Sequence, residues 1–324
     1  MGLLHAQATC GGARSFTVDL AVVVVSANDA CWLQDCLSSV YTHAGEMALE
    51  VIVVDNASSD GTRELVEGRF PRAAVVSSPN LGFAYGNNRG LERTGARYVL
   101  LLNPDTEILQ GTLAQLVAAL DGRPEVGIAG VRQLDGAGAL LPTMRRFPNA
   151  VRALGEALLS ERWPLRPAWA GERVLEAAAY EREGECDWVV GSFLLARREA
   201  LLAAGMLDER FFLYCEEPDL CLRVRRAGWR VRYLPSVTIR HYAGKGGVQP
   251  RMVAQEAFAR VQYARKHFSR LHGALYVGAL WLRYGLRGRG WALNAIGGRG
   301  RAPFVVPPPQ ALTPAARSCE EALT

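Results

Sequence analysis

Lysine is nearly missing from this chain. Lys245 and Lys266 are the only two among 37 basic residues, and the rest are arginine. A GC-rich coding bias would produce this, and so would selection for phosphate recognition, to which the planar arginine fork is suited. Paired cysteines are also missing. There are seven cysteines, an odd number, with no C-x-x-C spacing. Neither a disulfide framework nor a zinc site is implied, and reduced thiols in a cytoplasm are expected. No apolar run reaches the length of a membrane span, and no charged segment leads into an apolar one at the start, so no signal peptide is expected. Two nucleotide signatures are absent as well. No G-x-G-x-x-G follows the first apolar run, and no G-x-x-x-x-G-K-[ST] occurs anywhere. A bound nucleotide would have to be held by side chains and a metal rather than a glycine cradle.

What remains is an ordinary globular composition. The chain has 324 residues, 49% hydrophobic and 21% charged, with a net charge of +5. Disorder and a polytopic membrane protein are both excluded. Strand and helix signals alternate. Leu20–Val25, Val51–Val54, Ala73–Val76, Tyr98–Leu102 and Val126–Val131 read as strands, several of them β-branched and buried on both faces. Ala30–Thr42, a helix capped by Asp60 and running through Val66, Ala84–Arg93 and Thr112–Leu120 read as helices. A βαβ series of this kind predicts an α/β fold with a parallel sheet covered by helices on both faces. Between Arg132 and Glu185 the pattern weakens around Pro142, Pro148, Pro164 and Pro167. It returns as a strand at Trp188–Ala196, helices at Arg198–Ala204 and Asp219–Ala227, strands at Arg230–Tyr233 and Val237–Arg240, and a helix at Val253–Phe268.

Ligands of an open α/β sheet bind beyond the carboxyl ends of its strands. Three polar clusters fall there: Ser26, Asn28 and Asp29 after the first strand, Asp55 and Asn56 after the second, and Asn103-Pro104-Asp105 after the fourth. Asp55 can accept from a base or a ribose hydroxyl. Asp105 is a hard oxygen ligand suited to Mg²⁺ or Mn²⁺. In Asn80-Leu81-Gly82-Phe83-Ala84-Tyr85-Gly86-Asn87-Asn88-Arg89-Gly90, the glycines recur every four residues on one helix face. Close helix–sheet packing explains them, and so does a ligand site with Asn80 and Asn87 as donors. Pro218, placed at the first helical position, would put Glu217 at a helix cap and Asp219 in the first turn. Glu217 then offers a carboxylate that can take a proton. Glu216 and Asp219 would bind an acceptor or neighbouring basic groups.

Taken together, Val54-Asp55-Asn56-Ala57-Ser58-Ser59-Asp60-Gly61-Thr62, the Asn80–Gly90 stretch, Leu102-Asn103-Pro104-Asp105-Thr106, Gly191-Ser192-Phe193-Leu194-Leu195, Leu207-Asp208-Glu209-Arg210-Phe211, and Glu216-Glu217-Pro218-Asp219 resemble the family 2 glycosyltransferases of the rhamnosyltransferase-like branch. The similarity runs from about Asp19 to Gly247. It implies a glycosyltransferase-A fold: a Rossmann-like, mostly parallel sheet with helices on both faces, and a C-terminal helical extension. It implies inverting, metal-dependent transfer of a sugar, rhamnose or another hexose, from a nucleotide-diphosphate donor (dTDP- or UDP-linked) to a glycan or lipid-linked acceptor in cell-surface polysaccharide synthesis. By motif position Glu217 is the catalytic base. Asp105 holds the metal, Mg²⁺ or Mn²⁺, and His241 completes its site. Ser26, Asn28, Asp55, Asn80, Asn87 and Asn103 fall on the nucleotide-sugar side. Trp188, Gly191, Glu216 and Asp219 fall on the acceptor side. The chain departs from the family pattern in having glutamate for aspartate at the base, Ala27 where relatives carry an aromatic, and no serine in Gly246-Gly247. A non-catalytic nucleotide-sugar or glycan-binding protein on the same scaffold is the rival reading.

The expected division is a loose leader over 1–17, a catalytic domain over 18–248 whose halves meet near 131, a basic amphipathic helical extension over 249–296, and a disordered tail over 297–324. Seventeen arginines and lysines but one acidic residue, Glu256, lie between Cys221 and Arg301. Leu275–Leu282 is apolar and aromatic, with Arg270, Arg283, Arg287 and Arg289 around it. Such a segment suits an anionic membrane surface, and equally a helix packed on the core with a basic rim. No nucleic-acid-binding module is recognisable, so a nucleic-acid partner is not expected. A cytoplasmic location, peripheral to the inner membrane face, follows as the expectation.

Overall fold

The structure, a computed structural model, describes residues 17–159, 167–242 and 249–298. The expected leader and tail lie outside these residues, apart from Thr17, Gly297 and Gly298, as do Pro164 and Gly246-Gly247. The elements are β1 (Leu20–Ser26), α1 (Ala30–Thr42), β2 (Leu49–Asn56), α2 (Thr62–Arg69), β3 (Ala73–Ser78), α3 (Phe83–Leu91), β4 (Tyr98–Leu102), β5 (Thr106–Gln110), α4 (Leu113–Asp121) and β6 (Val126–Leu134). They continue as β7 (Met144–Arg145), α5 (Ala150–Leu158), β8 (Gly184–Glu185), β9 (Trp188–Val189), β10 (Phe193–Arg197), α6 (Arg198–Ala203), α7 (Glu216–Arg226), β11 (Arg230–His241), α8 (Pro250–His267), α9 (Arg270–Gly285) and α10 (Gly290–Ile296).

The main sheet runs β3-β2-β1-β4-β10-β6-β11-β5, with β8 paired to β11. β1 is parallel to both β2 and β4, and the connection reverses direction there. That switch point opens a crevice at the carboxyl ends of β1, β2 and β4. The apolar runs are buried on both faces, as their composition requires. Val22, Val24, Leu100 and Leu102 pack under α1 and α4, while Val23, Val25, Ile52 and Leu101 pack under α3 and α7. Asp60 caps two helices at once: its Oδ2 accepts from the N–H of Ala30 at 2.8 Å, and its Oδ1 from that of Thr62 at 3.1 Å.

Three expectations are corrected. The sheet is not the wholly parallel one that the βαβ series alone predicts, because β10 runs antiparallel between β4 and β6, and β5 and β8 run antiparallel to β11; the mostly parallel sheet that the resemblance implies stands. The two C-terminal strands are one strand, β11, whose register shifts between Leu234 and Thr238. Pro235 lies in that interval and has no N–H to donate, so the ladder bulges and resumes. Thirdly, α7 begins at Glu216 rather than after Glu217, with Cys215 as its cap. Pro218 is therefore the third helical residue. The first four N–H groups of a helix have no partner within it, so proline costs nothing there.

Helices α5, α8, α9 and α10 share a core of Ala153, Ala257, Val261, Tyr276, Leu280, Tyr284 and Ile296. A smaller cluster of Phe211, Cys215, Ala259 and Tyr263 joins α8 to the segment before α7. The strongest tie is ionic. Asp219, with 0% exposure, pairs with Arg223 at 2.7 Å, with His267 Nε2 at 2.7 Å and with Lys266. Burial opposes its ionisation, yet His267, Arg223 and Lys266 together hold the carboxyl below its ordinary range. A depressed pKa stabilises the fold above the unfolded-state value near ~4 and is lost as pH falls through the folded one. We predict that Asp219→Asn costs about 3 kcal/mol at pH 7, since it leaves buried cations without their partner. The gap from wild type should narrow below about pH 4. Urea denaturation at the two pH values checks this, and equal midpoints at pH 7 would refute it.

Candidate active site

The register of the sheet decides which predicted residues meet. β11 pairs with β5 so that His241 lies opposite Thr106, the residue after Asp105. The Tyr242 N–H donates to the Asp105 carbonyl at 3.0 Å and closes the corner. His241 Nε2 consequently stands 3.3 Å from Asp105 Oδ1 and 3.5 Å from Asn103 Nδ2. An aspartate oxygen and an imidazole nitrogen converge from residues 136 positions apart in the chain; the carboxylate suits Mg²⁺ or Mn²⁺, and the imidazole favours the transition metal of the two, Mn²⁺. Among the described residues no third His, Cys, Asp or Glu joins them closely enough to complete a metal site.

Glu217 comes from the other side. Tyr214 and Cys215 both adopt left-handed backbone, at φ 68° and 67°. Residues with a Cβ rarely do so, and strain of this kind is held in place where a site requires it. The turn starts α7 with Glu216 and Glu217 in its first turn. Glu217 Oε1 accepts from the Gly191 N–H at 3.0 Å. A Cβ on Gly191 would stand 2.7 Å from that oxygen and 2.8 Å from Glu217 Cγ, so only glycine allows the contact. Burial raises the Glu217 carboxyl above its ordinary value, while the Gly191 N–H and the Arg145 charge pull it part of the way back. Glu216 is 2% exposed, and its Oε2 has no partner among the described residues. Burial, then the neighbouring Glu217 charge, push its carboxyl well above the usual range.

Asn103, Asp105, His241, Trp188, Gly191, Glu216 and Glu217 line one cavity of about 670 Å³. Trp188 holds its place by donating Nε1–H to the Arg146 carbonyl at 3.1 Å. Asp219 does not face this cavity; of its two expected roles it takes the pairing with basic groups. Ser26, Asn28, Asp55, Asn80 and Asn87 lie outside that cavity, around the carboxyl ends of β1 to β3. Asp55 Oδ1 accepts from the Ser58 N–H at 2.9 Å, and Asn28 Oδ1 from the Ser59 N–H at 2.8 Å, so the two loops brace each other. Ser26 Oγ, Asn56 Oδ1 and Asn87 Oδ1 are buried without a partner among the described residues. Asn87 has no exposure and gives an amide hydrogen to the Phe83 carbonyl. Asn80 is half-buried in the loop after β3. Of the two readings of the glycine repeat, packing accounts for it: a Cβ on Gly86 would meet Val25 and Asn56, and one on Gly90 would meet Val23.

Near the site, the sequence puts Asp29 in the polar cluster after the first strand without giving it a role, and it does not single out Arg145. Burial, and then the like charges of Asp105 and Asp60, push the Asp29 carboxyl up to about 6, against the hydrogen bond it accepts from the Ala27 N–H. Its position just past the first strand was the available signal. Arg145 enters the cavity from β7, a two-residue strand with no periodicity to announce it.

Comparison with known proteins agrees with this geometry. Residues 21–182 match the model of glycosyl transferase family 2. The chain is 31% identical over 235 residues to an N-acetylglucosaminyl-diphospho-decaprenol L-rhamnosyltransferase of Mycobacterium tuberculosis, covering 69% of this chain and 76% of that one. It is 24% identical to rhamnosyltransferase WbbL of Escherichia coli, covering 68% of this chain and 83% of that one. In fold it resembles the mannosyltransferase PcManGT of Pyrobaculum calidifontis, solved in complex with GDP-Man and Mn²⁺, at a TM-score of 0.51 and 18% identity, covering 88% of this chain and 77% of that one. The sheet and its flanking helices form the glycosyltransferase-A fold anticipated from the motifs. The motifs stand in family order and the relatives are matched over most of their length: the chain belongs to glycosyl transferase family 2 and is a glycosyltransferase of its rhamnosyltransferase-like branch.

Proposed function

We propose that the protein transfers a hexose, rhamnose by analogy with its relatives, from a nucleoside-diphosphate sugar to a lipid-linked diphospho-sugar, with inversion at the anomeric carbon. The observation that carries this reading is a single cavity lined by Glu217 on one side and the Asp105–His241 pair on the other. Inversion needs a carboxylate on the acceptor side to take the hydroxyl proton while the diphosphate leaves from the opposite face. Glu217 supplies it. The Gly191 N–H holds Oε1 and fixes the carboxylate plane, and the helix N-terminus favours its ionised form. Asp105 and His241 would hold a divalent cation. Such an ion supplies charge neutralisation for the departing diphosphate. Ser26, Asn56 and Asp55, at the switch point, offer polar atoms to the nucleoside. Trp188 and Glu216 offer theirs to the acceptor sugar. Residues 249–296 belong to the same catalytic unit, because Met252, Glu256, Arg260, Arg283 and Arg289 complete the cavity wall.

The acceptor reading draws support from the surface. No helix among the described residues is long and apolar enough to cross a membrane. Yet α9 exposes Leu271, Leu275 and Leu282 along one stripe that continues to Leu286 just past its end, and α5, packed against it, exposes Val151, Leu154 and Leu158. Leu271 is 73% exposed. Arg270 and Arg287 flank the stripe at the surface. An apolar face with a basic margin fits the boundary of an anionic bilayer, where a lipid-linked acceptor is presented.

Glu217→Gln should abolish transfer, by about a thousand-fold or more, while leaving donor affinity within a factor of a few. Full activity in that variant would sink the assignment. In the wild type the base works ionised and its pKa is raised, so kcat/KM should fall with acid at a pH above the ordinary glutamate value near ~4.3. Asp105→Ala should abolish the part of donor binding that depends on Mn²⁺, read by calorimetry with and without chelator; unchanged metal dependence would count against the site. Replacing both Leu271 and Leu275 by Asp should reduce co-sedimentation with phosphatidylglycerol vesicles by at least about ten-fold, given the transfer cost of two leucines. Undiminished sedimentation would refute the membrane face.

A further inference from the structure

Beyond Glu217 the cavity is walled by arginines, and they do not have equal standing. Arg260 is fully engaged: it pairs with Glu172 at 2.6 Å and with Glu256 at 2.9 Å, and donates to the Tyr276 hydroxyl at 3.1 Å. Arg283 pairs with Glu156 at 2.6 Å. The three glutamates lining this end of the cavity are thereby used.

Arg145 is different. It lines the same cavity, and its Nε is removed from solvent without a hydrogen-bond partner among the described residues. It makes no ion pair there either. Its guanidinium lies over the Trp188 ring, 5.6 Å from the centroid. The backbone bridge between Arg145 and Arg173 brings a second arginine alongside. Burial, followed by the Arg173 charge, lowers the Arg145 guanidinium to about 10. Glu172 and Glu156 act on this cation only through their field and make no ion pair with it among the described residues, so burial beside Arg173 is costly and an entering anion would offset that cost. Arg289, at the start of α10, also lines the cavity and has no ion pair among the described residues.

We propose that Arg145 and Arg289 form an anion subsite for a phosphate or diphosphate group on the acceptor side of the cavity. The site is separate from the Asp105–His241 corner that faces the donor. Arginine forks match phosphate oxygens two at a time, and the Trp188 face holds the Arg145 plane in position. The proposal rests on the acceptor reading given above. It assigns the recognition of a lipid-linked diphospho-sugar to residues outside the catalytic motifs.

Inorganic pyrophosphate is the direct probe, titrated by calorimetry with chelator present so that no metal bridges it to Asp105. The wild type and Asp105→Ala should bind it alike. Arg145→Gln and Arg289→Gln should each weaken it about ten-fold, the loss of one charge-assisted contact, and Arg145→Lys should recover part of it. Absence of saturable binding to the wild type would overturn the subsite. So would binding that is lost in Asp105→Ala and kept in Arg145→Gln, which would assign the anion to the donor corner. UDP titrations separate the two sources of diphosphate: UDP affinity should change far less in Arg145→Gln than pyrophosphate affinity does. In transfer assays, Arg145→Gln should raise KM at least about ten-fold more for a short-chain prenyl-diphospho-sugar acceptor than for an alkyl glycoside without phosphate. Equal losses on both acceptors would reduce Arg145 to a structural role. Pyrophosphate binding that depends on Arg145, together with a fully active Glu217→Gln, would retain the subsite and discard the proposed base.

Discussion

Asp219 bears its charge where no water reaches it, and the site depends on how that charge is met. Lys266 and His267 come from the end of α8, and Arg223 from the next turn of α7 itself. The carboxylate thereby pins the start of α7 to the C-terminal helices. Glu216 and Glu217 precede it by three and two residues, so their positions follow from this anchor. The strained Tyr214–Cys215 turn is tolerable for the same reason: both of its ends are held, by α7 on one side and by the apolar cluster of Phe211, Cys215 and Tyr263 on the other. The chain spends a fully satisfied carboxylate on geometry so that a less satisfied one, two residues earlier, can be available for chemistry.

The same contrast recurs across the cavity. At the carboxyl ends of β1 to β3, loops are braced by short polar contacts, Asp55 to Ser58 and Asn28 to Ser59, while Ser26, Asn56 and Asn87 keep buried oxygens without partners among the described residues. In the cavity wall, Arg260 and Arg283 are paired with glutamates while Arg145 makes no ion pair among the described residues. Buried polar groups cost free energy unless paired, and the proposed function gives those at the cavity and at the carboxyl ends of the strands a ligand to complete them. The lysine scarcity acquires a use in this setting. Its planar substitute stacks on Trp188 at Arg145 and forks onto glutamate at Arg260, roles that a lysine ammonium fills poorly.

Much of this was legible in the sequence. The β-branched runs announced β1, β2 and β4 because strands buried on both faces admit little else. Asn103-Pro104-Asp105 and Glu216-Glu217-Pro218-Asp219 marked the two sides of the cavity through their polar residues at element ends. The glycine repeat of α3 was ambiguous, since packing and ligand approach both call for a missing Cβ, and only Val23 and Asn56 beneath it decided for packing. The antiparallel course of β10 and β5 was not legible, because an apolar run carries no direction. β7 was invisible at two residues, and with it the exposure of Arg145 to the cavity.

The sequence by itself determined the family, the sheet edge at which ligands bind, and the acidic residues at the head of α7. Those features are local: they rest on side-chain type and spacing along one element. Tertiary structure decided which of those residues meet. His241 reaches Asp105 only through the β5–β11 register. Asp219 turns from a candidate acceptor ligand into an anchor only because α8 ends beside it. The C-terminal helices, basic and apolar by composition, became a wall of the cavity on one face and an exposed apolar stripe on the other. Charge composition names the chemistry a surface can do, but pairing in three dimensions consumes many of the charges, and the proposed anion subsite rests on two cavity arginines, Arg145 and Arg289, that make no ion pair among the described residues.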